Sequence, residues 1–287
     1  MDSLKARRLF SEYADALAYI DVELPNGNRG IGASFHVGNG IFVTARHVVD
    51  GNNIVEIKIT EPINIGMREF LTNMIGEEPA QEQVDQYDEI YSLLNPQQTP
   101  RFRHQHPPLE ICDGPYSASD PNLDVAVFRV GNLNPAVSAV RLGAHWDDWI
   151  FRSHWHWQMS EAMIMGYPPI PMVNKPVLVC ARAEVHNMVI PRHSRAVHFL
   201  LSATPRGGFS GGVAIHENGL GLGVITSSLV NSGSPEELGF FAVLSVEAIV
   251  KCLTEHNLVP EFQRKHYESI SGIDIFSALR PSRYSGP

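Results

Sequence analysis

Three short segments carry residues able to perform acyl-transfer chemistry. The run Gly207-Gly208-Phe209-Ser210-Gly211-Gly212 surrounds one serine with glycine. Glycine adopts backbone conformations closed to other residues and leaves its N–H groups accessible. A serine in that setting can present its hydroxyl while N–H groups face a developing oxyanion. Taken alone, the run is equally a tight turn. Two other segments supply what a serine lacks. Phe42-Val43-Thr44-Ala45-Arg46-His47-Val48-Val49 sets a histidine just past an apolar strand, and Ser119-Asp120-Pro121-Asn122-Leu123-Asp124-Val125-Ala126-Val127 sets an aspartate at the head of another. A serine hydroxyl is a poor nucleophile at neutral pH, whereas imidazole, with an ordinary pKa of about 6.5, can take its proton and return it. A buried carboxylate fixes the imidazole tautomer and stabilises the imidazolium.

Positioning three residues so far apart in sequence requires a framework of strands. Helical spacing of Phe10, Tyr13, Ala14 and Leu17 predicts an N-terminal helix within 1–17. The period then changes to two. Strands are expected at 18–24, 32–37, 41–45, 53–60 and 125–130, with Pro25-Asn26-Gly27-Asn28 and Gly38-Asn39-Gly40 as turns. Further strands are expected at 162–166, 177–185, 197–203, 213–216, 221–227 and 240–244, then a helix at 245–253. Many short strands with few helices between them predict an all-β sandwich or barrel.

Two stretches depart from this pattern. Residues 131–160 read as a connection between halves, rich in Trp and His at 145–157. Residues 61–106 read as an inserted loop or lid, helical at 67–74 and 81–94. Within 61–100 lie eight acids (Glu61, Glu69, Glu77, Glu78, Glu82, Asp85, Asp88, Glu89) and one base, Arg68. That stretch carries −7 of the formal net charge of −9. The rest of the chain is close to neutral, and general binding to a phosphate backbone is not expected.

Composition sets outer bounds. The 287 residues are 44% hydrophobic and 18% charged, enough to fill a sizeable core. No apolar run approaches the ~20 residues of a membrane span. The start, Met1-Asp2-Ser3-Leu4-Lys5-Ala6-Arg7-Arg8, is charged and lacks the apolar core of a signal peptide. Cys112, Cys180 and Cys252 are odd in number and show no paired spacing, which suits a reducing compartment and predicts a cytoplasmic protein.

The three chemistry-bearing segments together resemble the chymotrypsin/trypsin-like serine proteases, closest to the bacterial HtrA-like branch. Thr44–Val49 is similar to that family's T-x-x-H-V-V pattern, Asp124–Val127 to its D-[LV]-A-[LV] strand and Gly208–Gly212 to its G-x-S-G-G. Weaker echoes are Ile164-Met165-Gly166-Tyr167-Pro168, Gly223-Val224-Ile225-Thr226 and Gly239-Phe240-Phe241-Ala242-Val243, with Leu244 where proline is usual. The resemblance covers about 18–253. It implies two six-stranded antiparallel β-barrels, at 18–135 (carrying the insert 61–106) and 136–253 (with the C-terminal helix), followed by a tail at 254–287. It implies His47 as general base and acid, Asp124 as its orienting carboxylate, Ser210 as nucleophile, and the Gly208 and Ser210 N–H groups as oxyanion hole. The expected activity is endopeptidase cleavage of proteins or peptides, with no metal or organic cofactor and, as an option, a regulatory protein partner that relieves latency by moving the insert.

The same resemblance places the primary specificity pocket at Thr204, Pro205 and Arg206 and at Thr226, Ser227 and Ser228. None is a carboxylate, so a Lys or Arg side chain has no charge partner there. Small or medium uncharged side chains are expected, with an acidic preference through Arg206 as the alternative. Three departures stand out. The 77 residues from His47 to Asp124 exceed what compact members need. No Ile-Val-Gly-Gly-like activation sequence is present, so zymogen cleavage of that type is not expected. The 34 residues after Leu253 are too few for the PDZ module that often follows in HtrA-like proteins.

Other readings compete. Gly208-Phe209-Ser210-Gly211-Gly212 also fits the G-x-S-x-G elbow of α/β-hydrolase esterases, but that fold requires a helix after the serine, and Val213-Ala214-Ile215 reads as a strand. A trypsin-fold binding module without catalysis is the second alternative. His104/His106 and His154/His156 are H-x-H pairs with metal-ligand spacing, more simply read as surface or packed histidines beside Trp155 and Trp157.

Overall fold

The computed structural model describes residues 1–94, 102–144, 146–192, 194–203, 207–226 and 241–271. The chain opens with α1 (Ser3–Tyr13), capped by the Asp2 carboxylate, which accepts from the Lys5 amide at 2.7 Å. Its Leu9 and Tyr13 are buried, and the Tyr13 hydroxyl donates to the Gly219 carbonyl at 2.8 Å. The strands β1 (Leu17–Glu23), β2 (Arg29–Gly38) and β3 (Ile41–Thr44) follow, then the single turn α2 (Arg46–Val49) and β4 (Asn53–Ile59). A side excursion holds β5 (Ile63–Ile65), α3 (Met67–Ile75), α4 (Gln81–Leu94) and β6 (Phe102–His104), and β7 (Ile111–Ser117) and β8 (Ala126–Val130) return to the main sheet.

The six main strands form one curled antiparallel sheet in the order β4-β1-β2-β3-β8-β7. Its outer strands do not close by a ladder. Strand β7 slips register twice against β8, around Asp113 and Pro115, and proline offers no N–H to a further neighbour. One backbone bond, from the Leu109 amide to the Ile57 carbonyl at 2.7 Å, bridges β4 to the segment entering β7.

After α5 (Asp147–Arg152) come β9 (Glu161–Gly166), β10 (Val179–Val189), β11 (His198–Leu201), β12 (Val213–His216), β13 (Gly221–Ile225) and β14 (Phe241–Ser245). They close into a barrel in the order β10-β11-β14-β13-β12-β9. The expected two-barrel architecture is thus present, one barrel closed and the other a curled sheet. Each unit has an apolar interior of its own: Ile20, Phe42, Ile57 and Phe128 in the first, Ile164, Val197, Phe199 and Val243 in the second. A larger cluster lies between them, drawing Leu17, Phe35, Val43 and Val127 from the first and Met165, Val213, Leu244 and Ile249 from the second. Burying each such side chain stabilises by about 1.5–3 kcal/mol, so the two units are welded along the cleft.

Two helices follow the barrel. In α6 (Val246–Glu255) seven of the ten residues are buried. The segment read from sequence as a tail contains α7 (Glu261–Ser271), which docks on the first unit. Its buried Gln263 donates to the Val37 and Val140 carbonyls at 2.9 and 2.7 Å and accepts from the Leu142 amide at 3.2 Å. The acidic excursion is a helical hairpin around Met67, Leu71 and Val84, with Glu77, Glu78, Glu82, Asp85 and Glu89 exposed. Gly76 ends α3 in the left-handed conformation at φ 79°, as helix C-caps favour.

Candidate active site

Strand β3 is wholly buried, and the chain turns sharply at Ala45 into α2, which lifts His47 to the surface. The His47 side chain is 42% exposed. Asp124 sits in the loop between β7 and β8. Its carboxylate touches His47 twice: Oδ2 accepts from Nδ1 at 2.8 Å and Oδ1 accepts from the main-chain amide at 3.0 Å. An ionised carboxylate only accepts, so Nδ1 carries the proton and Nε2 is left as the basic nitrogen.

Ser210 reaches the same cleft from the barrel. Its carbonyl accepts from the Ala33 amide of β2 at 2.8 Å. Ala33 in turn accepts the Thr44 hydroxyl at 2.7 Å, three residues before His47. The glycines permit this approach. A Cβ on Gly211 (φ +83°) would lie 2.1 Å from the Ala33 carbonyl oxygen and 2.4 Å from Thr44 Oγ1. One on Gly208 (φ +86°) would lie 2.2 Å from the Tyr167 carbonyl oxygen, and one on Gly212 would lie 2.1 Å from that of Met165. These are contacts no side chain survives, so glycine is required by close approach at all three positions and by backbone angle as well at Gly208 and Gly211.

The N–H groups in this loop divide into two sets. Gly211 donates to Ile225 at 2.7 Å and Gly212 donates to Phe209 at 2.8 Å. The amides of Gly208 and Ser210 donate to no carbonyl among the described residues. The Gly208 carbonyl is turned away from them and accepts from the Tyr167 amide at 3.0 Å. Tyr167 is fully buried, and its hydroxyl donates to the Leu17 carbonyl at 3.0 Å and lies 3.2 Å from Thr60 Oγ1. It therefore ties the Gly208 turn to the first sheet.

Of the residues picked out from sequence, His47 and Asp124 are directly bonded, and the loop carrying Ser210 is packed against the strand that leads to His47. The Ser210 hydroxyl makes no hydrogen bond among the described residues. Thr226 is buried next to the glycine loop, its amide donating to Ala242 at 3.2 Å. Thr204, Arg206, Ser227 and Ser228 lie outside the described residues. Ala33, Thr44 and Tyr167 are structural members of the site that sequence reading left without a role. Thr44 and Tyr167 stand inside quoted motifs, whereas nothing in the sequence marks Ala33.

The competing signals resolve differently. Ser210 is followed by strand β12 and not by a helix, which removes the esterase elbow. His106 is buried, with Nδ1 donating to the Pro107 carbonyl at 2.7 Å and Nε2 accepting from the Asn134 amide at 2.9 Å, so both nitrogens serve the fold. His154 and His156 lie in a 3-10 turn on either side of Trp155 and not on a strand. No group of three or more His, Cys, Asp or Glu is arranged to hold a metal ion among the described residues. No helix among them is long and apolar enough to cross a membrane.

No protein-family model matches the chain, and no curated protein matches it by sequence. Solved structures do match. The chain is similar to the Rv3671c protease of M. tuberculosis in its active form, at 16% identity, 91% of this chain, 89% of that chain and a TM-score of 0.56. It is also similar to a variant of the HtrA-type protease AlgW with a tripeptide, at 16% identity and a TM-score of 0.51, covering 88% of this chain and 64% of that one. The chain thus has the double-barrel fold of the trypsin-like, HtrA-type serine proteases.

Proposed function

We propose that the chain is a serine endopeptidase acting on proteins or peptides through Ser210, His47 and Asp124. The observation that carries this reading is the two-point grip of Asp124 on His47, beside a serine loop seated on β2. Ser210 Oγ attacks the peptide carbonyl carbon while its proton passes to His47 Nε2, and Asp124 stabilises the imidazolium so formed. The negative oxygen of the tetrahedral intermediate is received by the Gly208 and Ser210 amides, which donate to no carbonyl among the described residues. Collapse breaks the C–N bond, and the departing amine takes the proton from His47. Water then repeats the cycle on the acyl-enzyme and releases Ser210.

Neither Thr204-Pro205-Arg206 nor Thr226-Ser227-Ser228 carries a carboxylate, which favours small or medium uncharged side chains over Lys or Arg before the scissile bond. Free thiols at the exposed Cys112 and Cys180 favour a reducing, cytoplasmic location. A second reading adds gating to the first. The acidic hairpin is rooted at Thr60–Glu61, and Thr60 contacts the Tyr167 that fixes Gly208. A partner displacing the hairpin would then act on the amides. Deleting 67–94 should raise turnover under gating, and unchanged turnover overturns it.

The primary test is hydrolysis of a peptide library together with fluorophosphonate labelling. Ser210→Ala should lose both, with turnover down about 10⁴–10⁶-fold. Persistent cleavage by that variant, or labelling at another residue, overturns the assignment. An unlabelled, inactive but folded chain points instead to a binding module.

A further inference from the structure

The Asp124 loop between β7 and β8 is held by two charged side chains that come from opposite directions. From the His47 turn, the Arg46 guanidinium donates through one nitrogen to the Ala118 carbonyl at 2.9 Å and through another to the Asp120 carbonyl at 3.2 Å. From the far end of α6, the Glu255 carboxylate accepts from the Ser119 amide at 2.9 Å and the Ser119 hydroxyl at 2.8 Å. The neighbouring His256 holds the Ser117 carbonyl at 2.9 Å and stacks on Tyr116 at 4.9 Å. Only the Ala118 amide is paired in ladder fashion, to the Val125 carbonyl at 3.1 Å. Three successive main-chain groups of this loop are thus met by Arg46 and Glu255 and not by a strand partner, the Asp120 carbonyl also accepting from the Leu123 amide within the loop at 3.1 Å.

We infer that Arg46 and Glu255 are positioning residues for Asp124, a clamp through which the helix leaving the barrel sets the carboxylate that orients His47. This rests on the proposed peptidase reading. Hydrogen bonds to charged groups are about twice as strong as neutral ones, and the guanidinium fork meets two carbonyls at once. Losing either arm frees the loop to drift. A shift of about 1 Å in a catalytic group costs on the order of 10²-fold in rate. Because both side chains act on the main chain of the Asp124 loop, the loss should fall on kcat.

The test compares Arg46→Ala, Arg46→Lys and Glu255→Gln with the unmodified chain, each also in an Asp124→Asn background. Arg46→Ala should lower kcat about 10–100-fold with KM within about twofold. Arg46→Lys, a point charge, should recover only part, and Glu255→Gln should fall between. In the Asp124→Asn background each change should add less than about twofold, since both routes run through that carboxylate. The His47 Nδ1 proton resonance, sharp in the unmodified chain, should broaden in Arg46→Ala and Glu255→Gln. Wild-type kcat in Arg46→Ala, or effects that multiply with Asp124→Asn, overturn the inference. Should Arg46→Ala not fold, Arg46→Lys and Glu255→Gln carry the same comparisons. If the unmodified chain shows no Ser210-dependent turnover, the peptidase reading fails on its own. An unchanged Nδ1 resonance then refutes the clamp, and a broadened one upholds it.

Discussion

On one wall of the cleft, His47 and Asp124 are held by side chains: a carboxylate on an imidazole, a guanidinium on two carbonyls, a second carboxylate on an amide and a hydroxyl. On the other wall Ser210 is held by their absence, in a loop whose glycines let backbone meet backbone at Ala33, Tyr167 and Met165. Polar clamps can weaken by degrees as contacts are removed. Steric fit fails at the first added carbon. The two walls should therefore respond differently to substitution and to pH.

The largest effect is expected on the glycine wall. Gly211→Ala forces its Cβ against the Ala33 oxygen and Thr44 Oγ1 at a φ of +83°, so the loop must move away from His47. Turnover should fall by at least about 10²-fold, and stability by about 2–4 kcal/mol, read by peptide hydrolysis and urea denaturation. Gly207→Ala is the control, since its Cβ would meet nothing within 4 Å. Equal losses in both variants break the steric account.

Next comes the polar first unit, through pH. His36 is buried in β2, with Nδ1 donating to the Ser138 carbonyl at 2.7 Å and Nε2 accepting from the Gly40 amide at 3.2 Å. Burial holds its pKa down, from 6.5 to about 4. The unfolded chain therefore takes up a proton first as pH falls. Between pH 6.5 and about 4 the unfolded state binds more protons, so stability drops with falling pH across that window and levels off below it. The whole effect is on the order of 3 kcal/mol. The denaturant midpoint should track this slope, and His36→Gln should flatten it. An unchanged slope in that variant assigns the acid sensitivity elsewhere.

The smallest effect belongs to the acidic hairpin, which contrasts with both walls. Glu82, Asp85 and Glu89 are exposed, and solvated surface charges contribute little to stability. Changing each to Gln should move the unfolding free energy by under about 0.5 kcal/mol in urea. A larger loss would show that the hairpin's charges are engaged with the body.

Much of this was legible in advance, and for physical reasons. The short apolar runs at β1 through β4 and β9 through β14 mark strands, alternating where one face is buried and continuous where, as in β3, β13 and β14, every residue is. The hairpin helices at Met67–Ile75 and Gln81–Leu94 fall where the residue pattern places them. Strand β7 was missed because its sequence, Ile-Cys-Asp-Gly-Pro-Tyr-Ser, carries a glycine and a proline and reads as a turn. Helix α7 escapes a sequence reading because Glu261–Ser271 is mostly polar, and what seats it is a buried Gln263 reaching three main-chain groups together with a buried Tyr267 whose hydroxyl donates to the Gly143 carbonyl at 2.8 Å. Arg46 stood in plain sight inside the histidine motif, but its two carbonyl partners lie more than 70 residues away.

By itself, then, the sequence determined the reactive residue types, the glycine setting of Ser210, the strand inventory and the concentration of charge in one excursion. These are local properties, set by side-chain chemistry, backbone freedom and periodicity. Only the tertiary structure decided that Asp124 grips His47 through side chain and main chain, that Ala33 seats Ser210, and that α6 and α7 cross back from the barrel to the first sheet. Such contacts depend on how two units pack, and packing is settled by shape and buried area summed over distant residues.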